Sequence, residues 1–314
     1  MLTEKSLVQL LSKSSYMKNK KVIFAVIAMR ETKFFLDIAD KLRENEITSI
    51  FISFFQPGNN LISRKGYKFY DIYQYLHSFK KKNIEFNFSN YDINDVDHLI
   101  QHEKQTFAIK DKNQLINKFE NYLLSIDNII DSITDDASEE IIVFQELGGF
   151  IAPLSLYYVT RKKSISHVFF EPAFFKSRIH FILNELSSHR VSELPHKINK
   201  EVVKYLKDLN KNKNISIPIK DKAHFQDASI SKLINLSNIT KYLNKIFYKY
   251  IVFQKQEYDR IYNHVKKNFI AYKNRKQISK FYKNLDEITG LNYFFFPFHV
   301  PLDYSLTIRS PKYF

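Results

Sequence analysis

Acid–base and phosphate chemistry needs carboxylates, imidazoles or guanidinium groups held at the rim of a rigid scaffold. Four places in the sequence set such groups just after an apolar run: Arg30-Glu31, Gln145-Glu146, Glu171, and His299 with Asp303. Each run is short and rich in β-branched or aromatic residues, so each group falls at the carboxyl end of a predicted strand, where open α/β sheets bind ligands. A carboxylate there is commonly a helix cap or a salt-bridge partner. Glu146 and Glu171 form the strongest pair, because a single short crossover joins their strands and would set them side by side at one cleft. With one ionised and the other protonated, two such groups suit proton transfer at a hydroxyl. His299 adds a neutral imidazole or a phosphate contact.

The elements that must position these groups are read from periodicity. Ile141 to Phe175 reads as strand, glycine turn at Gly148-Gly149, helix and strand, ending at Glu171-Pro172. The glycines are expected to allow a turn where a side chain would clash. Upstream, Lys21 to Met29 and Ile47 to Phe55 are strands flanking a helix from about Thr32 to Asn45, with Phe35, Ile38, Ala39 and Leu42 on one face. Gln56 to Asn60 reads as a turn, Tyr67 to Phe79 as a helix, Ile84 to Phe88 as a third strand, and Asp92 to Ile133 as two helices broken near Lys110 to Asn113. A helix is expected over Ser177 to Leu186 and another over Leu2 to Ser12. The segment Lys241 to Leu285 carries long helical stripes, such as Tyr242, Ile246 and Tyr250. Tyr293 to Phe298 (YFFFPF) then starts a new strand after Gly290.

Several chemistries lack their signatures. No G-x-G-x-x-G follows the first strand, no P-loop motif occurs, no G-x-S-x-G marks a nucleophile elbow, and no Asp-x-Asp is present to hold a sugar nucleotide through a metal ion. The opening therefore resembles a nucleotide-binding half in topology only. His98 and His102 stand four apart and could share a helix face, yet the adjoining Glu of a zincin is missing and a solvated charged helix explains them more simply. With no cysteine there are no disulfides or thiolate sites, which fits a cytoplasmic chain. Neither a signal peptide nor an apolar run of the ~20 residues needed to span a bilayer is visible.

The net charge is +15, and His196 to Gly290 holds 21 Lys and Arg against 8 Asp and Glu. Such a surface attracts nucleic acid, an anionic leaflet or a charged sugar. An AT-rich coding composition, which inflates Lys, Asn, Ile, Phe and Tyr together, is a competing explanation. No RNA- or DNA-binding module signature accompanies the charge, so no specific nucleic-acid partner is expected.

The block HVFFEPAFFKSR (His167 to Arg178) resembles the E-D-G-F-x-R-S and E-N-x-F-F-type blocks of bacterial capsule polysaccharide biosynthesis proteins, which include the capsule Kdo glycosyltransferases. The tail YFFFPFHVPLDYSLTIRSPKYF (Tyr293 to Phe314) is similar to the segment that opens the second domain of their GT-B fold. The resemblance implies an α/β fold: a Rossmann-like acceptor-side domain over 1–190, a basic helical segment over 191–290, and at 291–314 the first strand and loop of a donor-binding domain, incomplete at Phe314. It implies metal-independent transfer from a nucleotide sugar to a glycan or lipid-linked acceptor, without a further cofactor, in the cytoplasm or at the inner face of the membrane with contact to anionic lipid. Glu171 and Glu146 are the catalytic candidates; Gln145, Gly148, Gly149, Lys176, Arg178, His299, Asp303 and Arg309 are the substrate-binding ones. Pro172 stands where the Kdo enzymes place an acid, so neither their chemistry nor their sugar carries over to this chain by the resemblance. The alternative is a non-catalytic, degenerate transferase domain that binds a glycan or a partner.

Overall fold

The computed structural model describes residues 20–79, 86–134, 140–172, 179–186, 200, 203, 204, 207, 208, 236–257, 261–278 and 280. Its centre is a six-stranded sheet formed by β1 (Lys20–Val26), β2 (Thr48–Ser53), β3 (Lys68–Asp71), β4 (Glu140–Glu146), β5 (Ser166–Pro172) and β6 (Ile179–Leu183), in the order β3-β2-β1-β4-β5-β6. All neighbours run parallel except β5 and β6. This is the order of a doubly wound, Rossmann-like sheet, α/β as the sequence predicts. From β1 the chain winds outward to β3, then crosses back to β4 on the other flank. The strand order thus reverses between β1 and β4, which opens a crevice beyond their carboxyl ends.

Strand alternation divides the core in two. Val22, Phe24 and Val26 of β1 join the cluster covered by α1 (Met29–Arg43) and α2 (Gln56–Arg64), with Phe35, Ile38, Ala39 and Leu42 supplying the helix side. Ile23 and Ala25 face the larger cluster beneath α3 (Ile72–Phe79), α4 (Val96–Thr106), α5 (Lys112–Thr134) and α6 (Ile151–Lys162). Because both faces are covered, β1 and β4 read as unbroken apolar runs.

Four expectations are corrected. Gln56 to Asn60 opens α2 rather than forming a plain turn: Pro57 supplies a fixed φ at a position where no intrahelical amide is needed, and Gly58 lies so near α1 that a Cβ would come 2.9 Å from Thr32 Oγ1. The third strand is Lys68–Asp71, within a segment whose aromatic pattern suggests one helix; α3 begins only at Ile72. The described part of the expected strand at 84–88 leads instead into a 3₁₀ turn, Phe88–Tyr91. Ile179–Leu183 is an antiparallel edge strand, not a helix, with Phe169 opposite Ile182 and Glu171 opposite His180. The two helices expected between 92 and 133 are present as α4 and α5, whereas Leu2 to Ser12 and Tyr293 to Phe298 lie outside the described residues.

The basic segment is not one long helix. Over 236–278 its described residues form α7 (Leu236–Ile246), a π turn at Phe247–Ile251, a non-helical strap at 252–257, and α8 (Ile261–Ile278). Phe253 in the strap takes φ 56°. The strap docks on the sheet's carboxyl-end rim. Gln56 N donates to Lys255 O at 3.1 Å, Lys255 N donates to Gln56 Oε1 at 2.6 Å, and Phe55 bridges Gln256.

Candidate functional site

At the crevice between β1 and β4 the carboxyl groups of Glu31 and Glu146 meet. Glu31 occupies the first turn of α1, immediately after β1, and Glu146 closes β4. One Glu31 oxygen reaches back to cap the start of the helix, accepting from Ile27 N at 2.8 Å. Glu146 adds a second carboxyl group beside it. Arg30, 72% exposed, stands 3.5 Å from Glu146, which keeps 26% of its side chain in solvent.

The floor of this crevice is apolar. Phe170 lies opposite Glu146 across the β4–β5 ladder and packs edge-on against Phe35 at 5.3 Å, with Phe34 at 5.4 Å. Over that floor Glu31 is buried. Desolvation, followed by the hydrogen bond and the charge of Glu146, pushes its pKa up to about 9; the Ile27 amide and Arg30 pull the other way without prevailing. Even the favourable field of the helix N-terminus is outweighed. At neutral pH burial beside a second carboxyl group thus holds Glu31 toward its protonated form. A buried carboxyl group beside one open to solvent is an arrangement suited to proton transfer with a hydroxyl.

Glu171 does not belong to this pair. It follows Phe170, which shares the Glu146 face, so alternation points it to the opposite face of the sheet. There His180 Nδ1 lies 3.1 Å from its carboxylate. Adjacency of β4 and β5 is as the sequence implies; the shared cleft is not, because it overlooks face parity. Gln145 also faces away from the crevice: it is buried, and its Nε2 donates to Pro153 O at 3.1 Å as a strut between β4 and α6.

Gly148 and Gly149 lie in the loop from β4 to α6, at the expected rim. A Cβ on Gly148 would meet Pro153 Cγ at 3.7 Å, ordinary contact, so steric need does not explain this glycine. The first amide of α6 is already engaged, with Ile151 N donating to Glu103 Oε2 at 3.1 Å. Lys176, Arg178, His299, Asp303 and Arg309 lie outside the described residues. His102 is buried edge-on to Phe150 at 4.7 Å, and among the described residues no group of three His, Asp or Glu could hold a metal ion.

Sequence reasoning sees Arg30-Glu31 at a strand end but ranks Glu171 above it. The signal that could have promoted Glu31 is its place in the first turn after the first strand, which faces the switch point in any doubly wound order. No local signal marks a second polar cluster, on the opposite face of the rim. There Lys118 Nζ binds Glu103 at 2.8 Å and Glu257 at 2.6 Å, and Glu257 also accepts from Tyr122 Oη and, at 3.0 Å, from Tyr73 Oη.

Compared with models of protein families, with curated proteins and with solved structures, the chain matches none.

Proposed function

We propose that the α/β body is the acceptor-side half of a GT-B-type glycosyltransferase of capsule or surface polysaccharide assembly, acting in the cytoplasm on a nucleotide-activated sugar. The observation that carries this reading is the place of Glu31 and Glu146 at the strand-order reversal, where burial holds Glu31 toward its protonated form. In the reaction the acceptor hydroxyl gives its proton to Glu146 as its oxygen bonds to the anomeric carbon. The bond from that carbon to the donor phosphate breaks, and the nucleotide leaves with the electron pair. Glu31 donates to Glu146 and fixes its orientation, while exposed Arg30 supplies positive charge near the departing phosphate. The capsule-protein resemblance of His167 to Arg178 and of Tyr293 to Phe314 supports the same class.

The test is nucleotide release from a panel of nucleotide sugars, with surface-glycan fragments as acceptors. Glu146→Gln is expected to lower turnover by about 10²–10⁴-fold, the usual contribution of a general base. Full activity in Glu146→Gln and Glu31→Gln proteins would remove the assignment. Binding of glycan fragments by the unaltered chain, with neither nucleotide-sugar binding nor turnover, would favour the non-catalytic reading.

A further inference from the structure

We infer that the arm formed by α7, the π turn, the strap and α8 is an interfacial surface for an anionic lipid bilayer, independent of the transferase reading. Many of its apolar side chains face solvent, on α7 as one stripe. On α7 and the π turn Leu236, Ile239, Leu243, Ile246 and Tyr250 recur at spacings of three and four, all exposed, with Leu236 at 80%. On α8 the same spacing sets Tyr262, Val265 and Phe269 in solvent. Between the helices, exposed Phe253 sits in the left-handed region, which bulky residues rarely adopt.

The charge pattern selects the occupant. Residues 236–251 and 261–278 together contain eight Lys and Arg and no Asp or Glu. Within the strap, Glu257 is directed into the body, where Lys118, Tyr122 and Tyr73 bind it. A second copy of the arm would bring like charge against like charge. Nucleic acid would match the cations but gives aliphatic Leu236, Ile239 and Leu243 nothing to bury against. A bilayer surface with anionic headgroups accepts both, apolar side chains in the acyl boundary and lysines at the phosphates. Neither helix is long and apolar enough to cross the membrane, so the contact lies in the interface plane.

The experiment is sedimentation of the full chain with vesicles of phosphatidylglycerol and phosphatidylcholine, or of phosphatidylcholine alone. The chain has no tryptophan, so Phe247→Trp gives a single reporter of burial. Expected are binding at least tenfold stronger to the anionic vesicles, weakened by salt, a blue shift of the introduced indole's emission, and a tenfold or greater loss in Leu243→Ser. Asn244→Ser, exposed on the same helix, is expected to bind as the parent and shows that the fold is kept. Equal or absent binding to both vesicle types would overturn the proposal. So would a dimer in analytical ultracentrifugation that dissociates in Leu243→Ser while vesicles are ignored, or affinity for single-stranded RNA that excludes vesicles.

Discussion

Two clusters on opposite faces of the same sheet rim each combine two carboxyl groups with a cation, yet they are built in opposite ways. Around Lys118, Glu103 and Glu257 every group is answered: the ammonium touches both carboxylates, Tyr122 and Tyr73 donate to Glu257, and the Ile151 amide donates to Glu103. Burial alone would lower the Lys118 pKa, but the two carboxylates outweigh it and raise it above its ordinary value. Around Glu31 and Glu146 the cation is peripheral and largely exposed, and burial beside the second carboxyl group holds Glu31 toward its protonated form. A saturated network ties parts of the chain together; an unsaturated one costs stability and is left able to exchange protons with a ligand.

The saturated cluster should break hardest. Lys118→Met leaves two carboxylates facing each other in a largely buried place, for an expected loss of about 3–5 kcal/mol in urea unfolding. A loss below ~1 kcal/mol would mean that the ion pairs add nothing to the fold. The unsaturated cluster should respond in the opposite sense. Glu31 ionises near 4.5 when unfolded and near 9 when folded, so the folded state holds the extra proton between those values. Its contribution is fully present below pH 4.5 and is lost progressively as pH rises toward 9. Glu31→Gln removes this slope and should stabilise the protein at pH 7 by up to about 3 kcal/mol, while impairing transfer. Unfolding at about pH 5, 7 and 8.5 reads it directly: a parallel pH profile in parent and variant would show that Glu31 is ionised.

How much of this could be read from the chain alone follows from the reach of each signal. β1, β2, β4 and β5 announce themselves because strands covered on both faces need continuous apolar runs, and the periodic faces of α1 and α5 are equally plain. The short edge strands β3 and β6 carry polar residues such as Lys68 and His180, so their pattern competes with a helical one and only pairing decides. At the site, strand ends locate the rim, while the partner of Glu146 depends on the order β1-β4 and on side-chain parity, neither of which is local. Glu257 lies 139 residues from Lys118, and nothing near either residue points to the other.

Glu257→Gln probes how the first cluster holds the arm. The amide can still accept from Tyr73 and Tyr122, and Lys118 keeps Glu103, so the expected loss is about 1–2 kcal/mol. Its signature is regional: amide exchange at 253–257 should speed up while β1 and β4 keep their protection. Uniform acceleration would show instead that the strap is part of the body's cooperative unit.

Glu171 gives the smallest stability effect and the sharpest functional contrast. Its contact with His180 is a partly exposed edge pair, so Glu171→Gln should change stability by less than about 0.5 kcal/mol. Because it projects from the face opposite Glu146, it cannot act together with that residue, and transfer should persist within a few-fold when it is neutralised. Measured side by side, Glu146→Gln should lose orders of magnitude and Glu171→Gln almost nothing. The reverse ranking would move the reacting centre to the β5–β6 edge, with Glu171 and His180 as the working pair and Glu31–Glu146 reduced to a helix cap.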